Sequence, residues 1–284
     1  MRRHPFAARP RGESSTIAGR GRSRNFGGGP PESAPEAFEV RVLPDSESLA
    51  EEAARQFAAA ARESIRERGL FWVALAGGST PRLFHRYLAG TSVAPSIAWE
   101  RVRFFFGDER CVPPDHEQSN YRVARETLFD PLAIPATNVF RMRGEEEPHQ
   151  AAAEYETQLR EQVPSEADLP RLDLVLLGLG PDGHTLSLFP STKALAEKRR
   201  LAVANFVVES GQWRLTLTYP CVNAARRILF LVAGAEKSDV AAKILGKRAG
   251  SRALPAAGVK PGSGSVLWLL DRAAASKLTV NGRR

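Results

Sequence analysis

The stretch LVLLGLGPDGHTLSLFP, residues 174–190, begins as an unbroken apolar run and then breaks into glycines. Gly178, Gly180 and Gly183 spell G-x-G-x-x-G directly after what reads as a buried strand. That spacing belongs to the dinucleotide-binding turn, where glycines let the backbone approach a pyrophosphate at a helix N-terminus. Such a turn needs a full crossover helix after the glycines, and Pro190 falls where it would end or kink that helix almost as it starts. Glu209, at the end of FVVE, could pass for the ribose-binding acid of an NAD site, so the residues alone leave that reading open. The other reading assigns the glycines to Asp182 and His184, which lie among them. His184 is then either a cap on a helix end or a general base or acid, whose titration range suits neutral pH.

Outward from this stretch, short apolar runs alternate with amphipathic stretches. FEVRVL (38–43), LFWVALA (70–76), RVRFFFG (101–107), RLDLVLLGLG (171–180), RRILFLVAG (226–234) and SVLWLLD (265–271) read as strands. LAVANFVVES (201–210) and WRLTLTYP (213–220) add two more, with NVFRM (138–142) as a further candidate. Residues 46–69 place Leu49, Ala53, Phe57, Ala60, Ala61 and Ile65 on one helical face. Helices are also expected at 77–90, 118–129, 149–163 and 235–246, and RAAASKL (272–278) closes the chain after its strand. Near-continuous apolar strands alternating with helices predict an α/β fold, a mostly parallel sheet covered by helices on both faces. Ligands of such sheets sit at the carboxyl ends of the strands.

Composition narrows the function class. Apolar residues make up 43% and charged residues 25% of the 284, as in ordinary globular proteins. The longest apolar runs are far too short to span a bilayer, so no membrane partner is expected. Cys111 and Cys221 form neither a framework nor a C-x-x-C pair, which suits a reducing setting and two inert packing thiols. The net charge of +8 suggests nucleic acid until it is located. Residues 1–37 hold seven arginines against Glu13, Glu32 and Glu36, and so carry half the excess in an Arg/Gly/Pro-rich leader. That leader lacks the apolar pattern needed to offset its ordering entropy and lacks a secretory hydrophobic region. It reads as a disordered tail, a transit peptide or an over-long start, and the domain proper spans 38–284. The remaining excess is modest and suits an anionic small molecule, with no nucleic acid required.

Three strand ends are unusually polar. In ALAGGSTPR, Gly77 and Gly78 permit close backbone approach, Ser79 and Thr80 offer hydroxyls, and Pro81 suits a first helical turn. The sequence fits either a plain capped turn or an anion site for a phosphate monoester. In FFFGDERCVPPDHEQSN, Asp108, Glu109 and Arg110 stand together where a strand leaves the core, as a solvated loop or as a site. Asp115 and His116 hint at a metal, but no second histidine lies at ligand spacing, and no metal is expected. The third strand end is the opening stretch.

ALAGGSTPRLF, FFFGDERCVPPDHEQSNY, LVLLGLGPDGHTLSLFP, WRLTLTYPCVNAARRILFLVAGAEKSDV and VLWLLDRAAASKL occur in that order. Together, over residues 38–284, they resemble the 6-phosphogluconolactonase family. The resemblance implies a Rossmann-like fold shared with glucosamine-6-phosphate deaminases. It also implies a cytoplasmic, cofactor-free hydrolysis of 6-phospho-D-glucono-1,5-lactone to 6-phospho-D-gluconate, the second step of the oxidative pentose phosphate pathway. Phe189 before Pro190, where the deaminase branch has an acid, and Arg110, where it has tyrosine, favour the lactonase branch. By the same resemblance Gly77, Gly78, Ser79 and Thr80, with Arg214 and Lys237, would hold the phosphate. His184 would be the base, helped by Asp182, while Arg110 and backbone N–H groups of residues 180–185 would meet the oxyanion. Asp108 and Asn120 would shape the sugar pocket. The one partner implied is the sugar-phosphate lactone, and a monomer is compatible with the sequence. A sugar-phosphate sensor on the same fold would need a helix-turn-helix, for which the leader has no helical periodicity.

Overall fold

The computed structural model describes residues 15–18, 38–90 and 93–278. Six parallel strands form its centre: β2 (Phe38–Leu43), β3 (Phe71–Leu75), β4 (Val102–Phe106), β8 (Leu174–Leu177), β11 (Arg227–Val232) and β12 (Ser265–Asp271). Their order is β2-β12-β11-β8-β3-β4, with β1 (Ser15–Ala18) antiparallel on β2 at the edge. Apart from β1, the expectation for residues 1–37 lies outside the described residues. Every residue of β3 and β8 is buried, so both faces of the central sheet are covered, as the continuous apolar runs require.

The helices are α1 (Ser46–Arg68), α2 (Ser79–Gly90), α3 (Asn120–Ala124), α4 (Pro148–Gln162), α5 (Tyr219–Ala224) and α6 (Ser238–Leu245). α1 starts where the Asp45 carboxylate accepts from Ser48 N (2.8 Å) and stops at left-handed Gly69. Its buried face carries Leu49, Ala53, Phe57 and Ala61, and Phe57 meets Phe71 of β3 edge-to-face at 5.3 Å. Among the described residues no helix is long and apolar enough to cross a membrane. Burial pushes the Cys111 thiol up to about 11 and the Cys221 thiol to about 12, so neither is a ready nucleophile.

Three departures from the sequence expectation matter. The run 138–142 makes one bridge, Phe104 to Val139, in place of a strand. RAAASKL forms turns, begun where the Asp271 carboxylate accepts from Ala274 N (2.7 Å), in place of a helix. Most consequentially, Asp108–Arg110 is a strand, β5, and with β9 (Ala202–Val207) and β10 (Gln212–Leu217) it makes a separate antiparallel sheet, β5-β10-β9. A two-stranded ribbon, β6 (Ser165–Glu166) with β7 (Leu169–Pro170), completes the strands.

Candidate active site

The second sheet begins where β4 ends. Tyr155 of α4 donates its hydroxyl to Phe106 O (2.9 Å) and accepts from Phe106 N (2.7 Å), which closes that end of β4. Gly107 still donates to Leu75 O of β3, but its own carbonyl already accepts from Leu217 N of β10. One residue thus bridges the two sheets and swings Asp108, Glu109 and Arg110 across the carboxyl ends of the parallel strands. The cavity formed there holds about 320 Å³, at the small end of the range for ligand sites. Its walls include Gly77, Gly78, Thr80, Asp108, Arg110, Asn120, His184, Phe189, Arg214 and Lys237. Ser79 opens α2 beside it, and Asp182 reaches the cavity through His184.

The glycine-rich turn is built around the imidazole. His184 Nδ1 lies 2.5 Å from Asp182 Oδ1, and the same oxygen accepts from His184 N (3.2 Å). A Cβ on Gly180 would stand 2.1 Å from His184 Nδ1 and 2.6 Å from Asp182 Oδ1, so only glycine leaves room for the pair. With Nδ1 committed to Asp182, Nε2 is the ring nitrogen left to act in the cavity. Burial works to raise the Asp182 carboxyl, but the hydrogen bond and charge of His184 hold it below the usual range, so it stays ionised. After the glycines the chain forms no crossover helix, only a bridge between Thr185 and Leu188 and a short 3₁₀ turn at Lys193–Ala196. Glu209 sits exposed on the β9–β10 connection, outside the cavity wall. The dinucleotide reading is therefore excluded on geometry. The expected oxyanion donors of the turn are also largely spent, since Gly180 N, Gly183 N and His184 N all donate within the loop.

Opposite the histidine the sheet register does something unfavourable. Arg110 and Arg214 are direct partners across β5 and β10, so two like charges face each other on adjacent strands. The Nε of each is buried without a hydrogen-bond partner among the described residues. Arg110 Nη1 donates to Gln118 O (2.6 Å) and Asn120 Oδ1 (2.8 Å). Burial, reinforced by Arg110, holds the Arg214 guanidinium below its ordinary proton affinity, with Asp108 and Glu109 opposing. Buried N–H groups on facing cations call for an anion between or beside them. Lys237, mostly buried, supplies a third cation from the turn before α6.

Glu109 is committed to backbone and side-chain hydrogen bonds. The residue is 2% exposed, and its carboxylate accepts from Arg110 N (2.8 Å), Asn120 N (2.7 Å), Tyr121 N (2.8 Å) and Ser119 Oγ (3.1 Å). Burial pushes it above the usual carboxylate range while those backbone bonds pull the other way. It ties the start of α3 to β5 and so places Asn120. Asn120 in turn packs on the phosphate-type loop: a Cβ on Gly77 would fall 2.0 Å from its Oδ1. Asp108 accepts from Ser187 Oγ (2.7 Å) and from Asn120 Nδ2 (3.3 Å), linking the histidine loop to β5. Ser187 and Phe189 escaped the sequence reading of the site. The serine has no local signal, while the phenylalanine was visible only as a residue next to a proline. Asp115 and His116 are exposed on the loop before α3, and no group of three His, Cys, Asp or Glu is gathered for a metal among the described residues.

A family model described as glucosamine-6-phosphate isomerases/6-phosphogluconolactonase matches residues 44–268. A 6-phosphogluconolactonase of Nostoc sp. is 39% identical over 244 residues, covering 85% of this chain and 98% of that protein. The solved 6-phosphogluconolactonase of Trypanosoma brucei superposes with a TM-score of 0.76 at 32% identity, covering 84% of this chain and 98% of that one. A monomeric glucosamine-6-phosphate deaminase, at 22% identity and a TM-score of 0.69 over 84% of this chain and 99% of its own, shares the fold. With a match across most of its length and a cavity built from the same segments that carry the motifs, the chain belongs to the glucosamine-6-phosphate isomerase/6-phosphogluconolactonase family.

Proposed function

We propose that this enzyme hydrolyses 6-phospho-D-glucono-1,5-lactone to 6-phospho-D-gluconate, as the relatives' names imply, with the Asp182–His184 pair as its base. The observation that carries the reading is one cavity holding an aspartate-oriented imidazole together with two facing arginines whose buried Nε groups have no hydrogen-bond partner among the described residues. Neutral His184 Nε2 takes a proton from water as its oxygen bonds to the C1 carbonyl carbon. Charge develops on the carbonyl oxygen, where Arg110 is the donor at hand, since Gly180 N, Gly183 N and His184 N of the turn already donate within the loop. The C1–ring oxygen bond then breaks, the ring oxygen takes the proton from His184, and the open-chain acid ionises to solvent.

The phosphate is assigned to the start of α2, with Gly77, Gly78, Ser79 and Thr80, and to Arg214 and Lys237. Asp108 and Asn120 shape the sugar pocket between the two ends. We place the chemistry in residues 38–284, in a cytoplasmic setting, with residues 1–37 dispensable for it. Purified protein with freshly generated lactone, spontaneous hydrolysis subtracted, should release acid faster without added metal or nucleotide. Absence of acceleration would refute the assignment, and loss in a chelator restored by a divalent ion would refute its metal-free form.

A further inference from the structure

Phe189 lies five residues beyond His184, yet its ring stacks on the imidazole, with centroids 4.1 Å apart and planes at 27°. The chain is folded back to achieve this. Leu186 adopts φ 56°, a left-handed conformation that a bulky side chain occupies only under constraint, and Leu188 N donates to Thr185 O (3.0 Å). The returning segment is then fastened to the second sheet. Ser187 N donates to Thr216 Oγ1 of β10 (3.2 Å), and Asn205 Nδ2 of β9 donates to Ser187 O (2.8 Å) and Thr192 Oγ1 (3.1 Å). Thr192 Oγ1 closes the chain of contacts by donating to Phe189 O (2.8 Å).

The consequence for the imidazole is geometric. The hydrogen bond to Asp182 fixes where Nδ1 sits but leaves the ring free to tilt about that contact, and the Asp182 side chain is itself 42% exposed. Gly180 confines the Nδ1–Cε1 edge. Phe189 is the one aromatic ring stacked on its face among the described residues, and it also lines the cavity into which Nε2 must deliver its lone pair. We propose that Phe189 is a positioning residue for the base: its aromatic plane fixes the tilt of the His184 ring, so that Nε2 meets the attacking water. It rests on the reading of His184 as the base.

The test compares Phe189→Leu, which keeps apolar bulk but not the plane, with Phe189→Tyr, which keeps the plane, and with His184→Ala. Phe189→Leu should lower kcat by roughly tenfold or more with KM within about threefold, and Phe189→Tyr should recover most of the rate. In proton NMR the His184 ring signals, assigned by their loss in His184→Ala, should move downfield in Phe189→Leu as the ring current is lost, and stay put in Phe189→Tyr. An unchanged kcat in a folded Phe189→Leu overturns the proposal, as does a Tyr variant as slow as Leu with the same ring shifts. Should His184→Ala keep normal turnover, the fault lies with the base assignment instead.

Discussion

Gly180→Ala tests whether the glycine spacing exists for the imidazole. The φ of Gly180 is not in the left-handed region, so alanine meets no backbone penalty and the effect is steric alone. The new methyl would lie 2.1 Å from His184 Nδ1, 2.2 Å from Cε1 and 2.6 Å from Asp182 Oδ1. Ordinary contact begins near 3.4 Å, so the imidazole must retreat by more than an ångström or the Asp182 bond must break. Misplacing a catalytic group by about 1 Å costs about 10²-fold in rate, and overpacking a tight site costs about 1–3 kcal/mol in stability. The expected variant is folded, melts several degrees lower, binds 6-phosphogluconate nearly normally and turns over about a hundredfold more slowly. Gly178→Ala is the internal control from the same motif, because a Cβ there meets nothing within 4 Å. Its kcat should stay within about threefold of the parent, although KM can rise because Gly178 borders the cavity. Stopped-flow acid release on fresh lactone, read beside thermal melting, separates the two variants. Equal kcat in Gly180→Ala and Gly178→Ala would refute the claim that the turn is shaped by the Asp182–His184 pair.

His184→Ala should lower kcat by about 10²-fold or more at nearly constant product affinity, whereas Arg214→Ala with Lys237→Ala should weaken 6-phosphogluconate binding at least about a hundredfold; the reverse pattern would invert the division of labour. Arg214→Met removes one of two facing cations and should raise the melting temperature of the ligand-free protein by about 1–3 °C while impairing activity, and a lower melting temperature would refute the like-charge argument. Burial brings the His85 side chain down to about 3, so it stays neutral in the fold while the unfolded chain takes up a proton below about 6.5. Stability is therefore complete above that pH and is lost progressively on acidification, by about 2 kcal/mol at pH 5; urea titrations at pH 7.5 and 5 should show this loss reduced in His85→Gln, and an equal loss in both proteins would refute the assignment.

What was legible in the sequence was whatever burial writes into it. The middle strands β3 and β8 announce themselves because a strand covered on both faces must be apolar at every position, and β2, half-buried with Glu39 and Arg41 in it, shows instead as an alternation. β5 could not be found that way, since three charged residues carry no strand pattern and pair only because Gly107 hands the chain to β10. The run 138–142 looked like a strand, but Asn138 closes a 3₁₀ turn and donates to Trp99 O (3.3 Å) and Glu100 O (3.2 Å), which leaves one bridge. The helix expected over 118–129 changes pitch at Arg125, where Thr127 Oγ1 bonds back to Val123 O (2.6 Å) and the backbone becomes a π turn. In the site, the cations and the dyad were visible as residue types. Their supports were not: Ser187, Thr216 and Asn205 act through contacts 29 and 18 residues away along the chain, which no local pattern encodes.

The features that cost the fold free energy gather around the cavity, and each has a counterpart in the arrangement of the site. Facing arginines with unpartnered Nε groups repel until an anion sits against them. Left-handed Leu186 costs of order 1–3 kcal/mol, yet it is the bend that brings Phe189 onto His184. The buried Glu109 carboxylate is tolerated because it meets the free N–H groups at the start of α3, and through that contact Asn120 reaches both Arg110 and the Gly77 loop. None of these terms lies in the central parallel sheet, whose middle strands β3 and β8 are apolar and fully buried. The division is spatial: the middle of the parallel sheet supplies the apolar core, while the antiparallel sheet and the loops set across its carboxyl ends hold the strain and the charge. A fold so divided keeps its cations poised around a small cavity without building their mutual repulsion into the core.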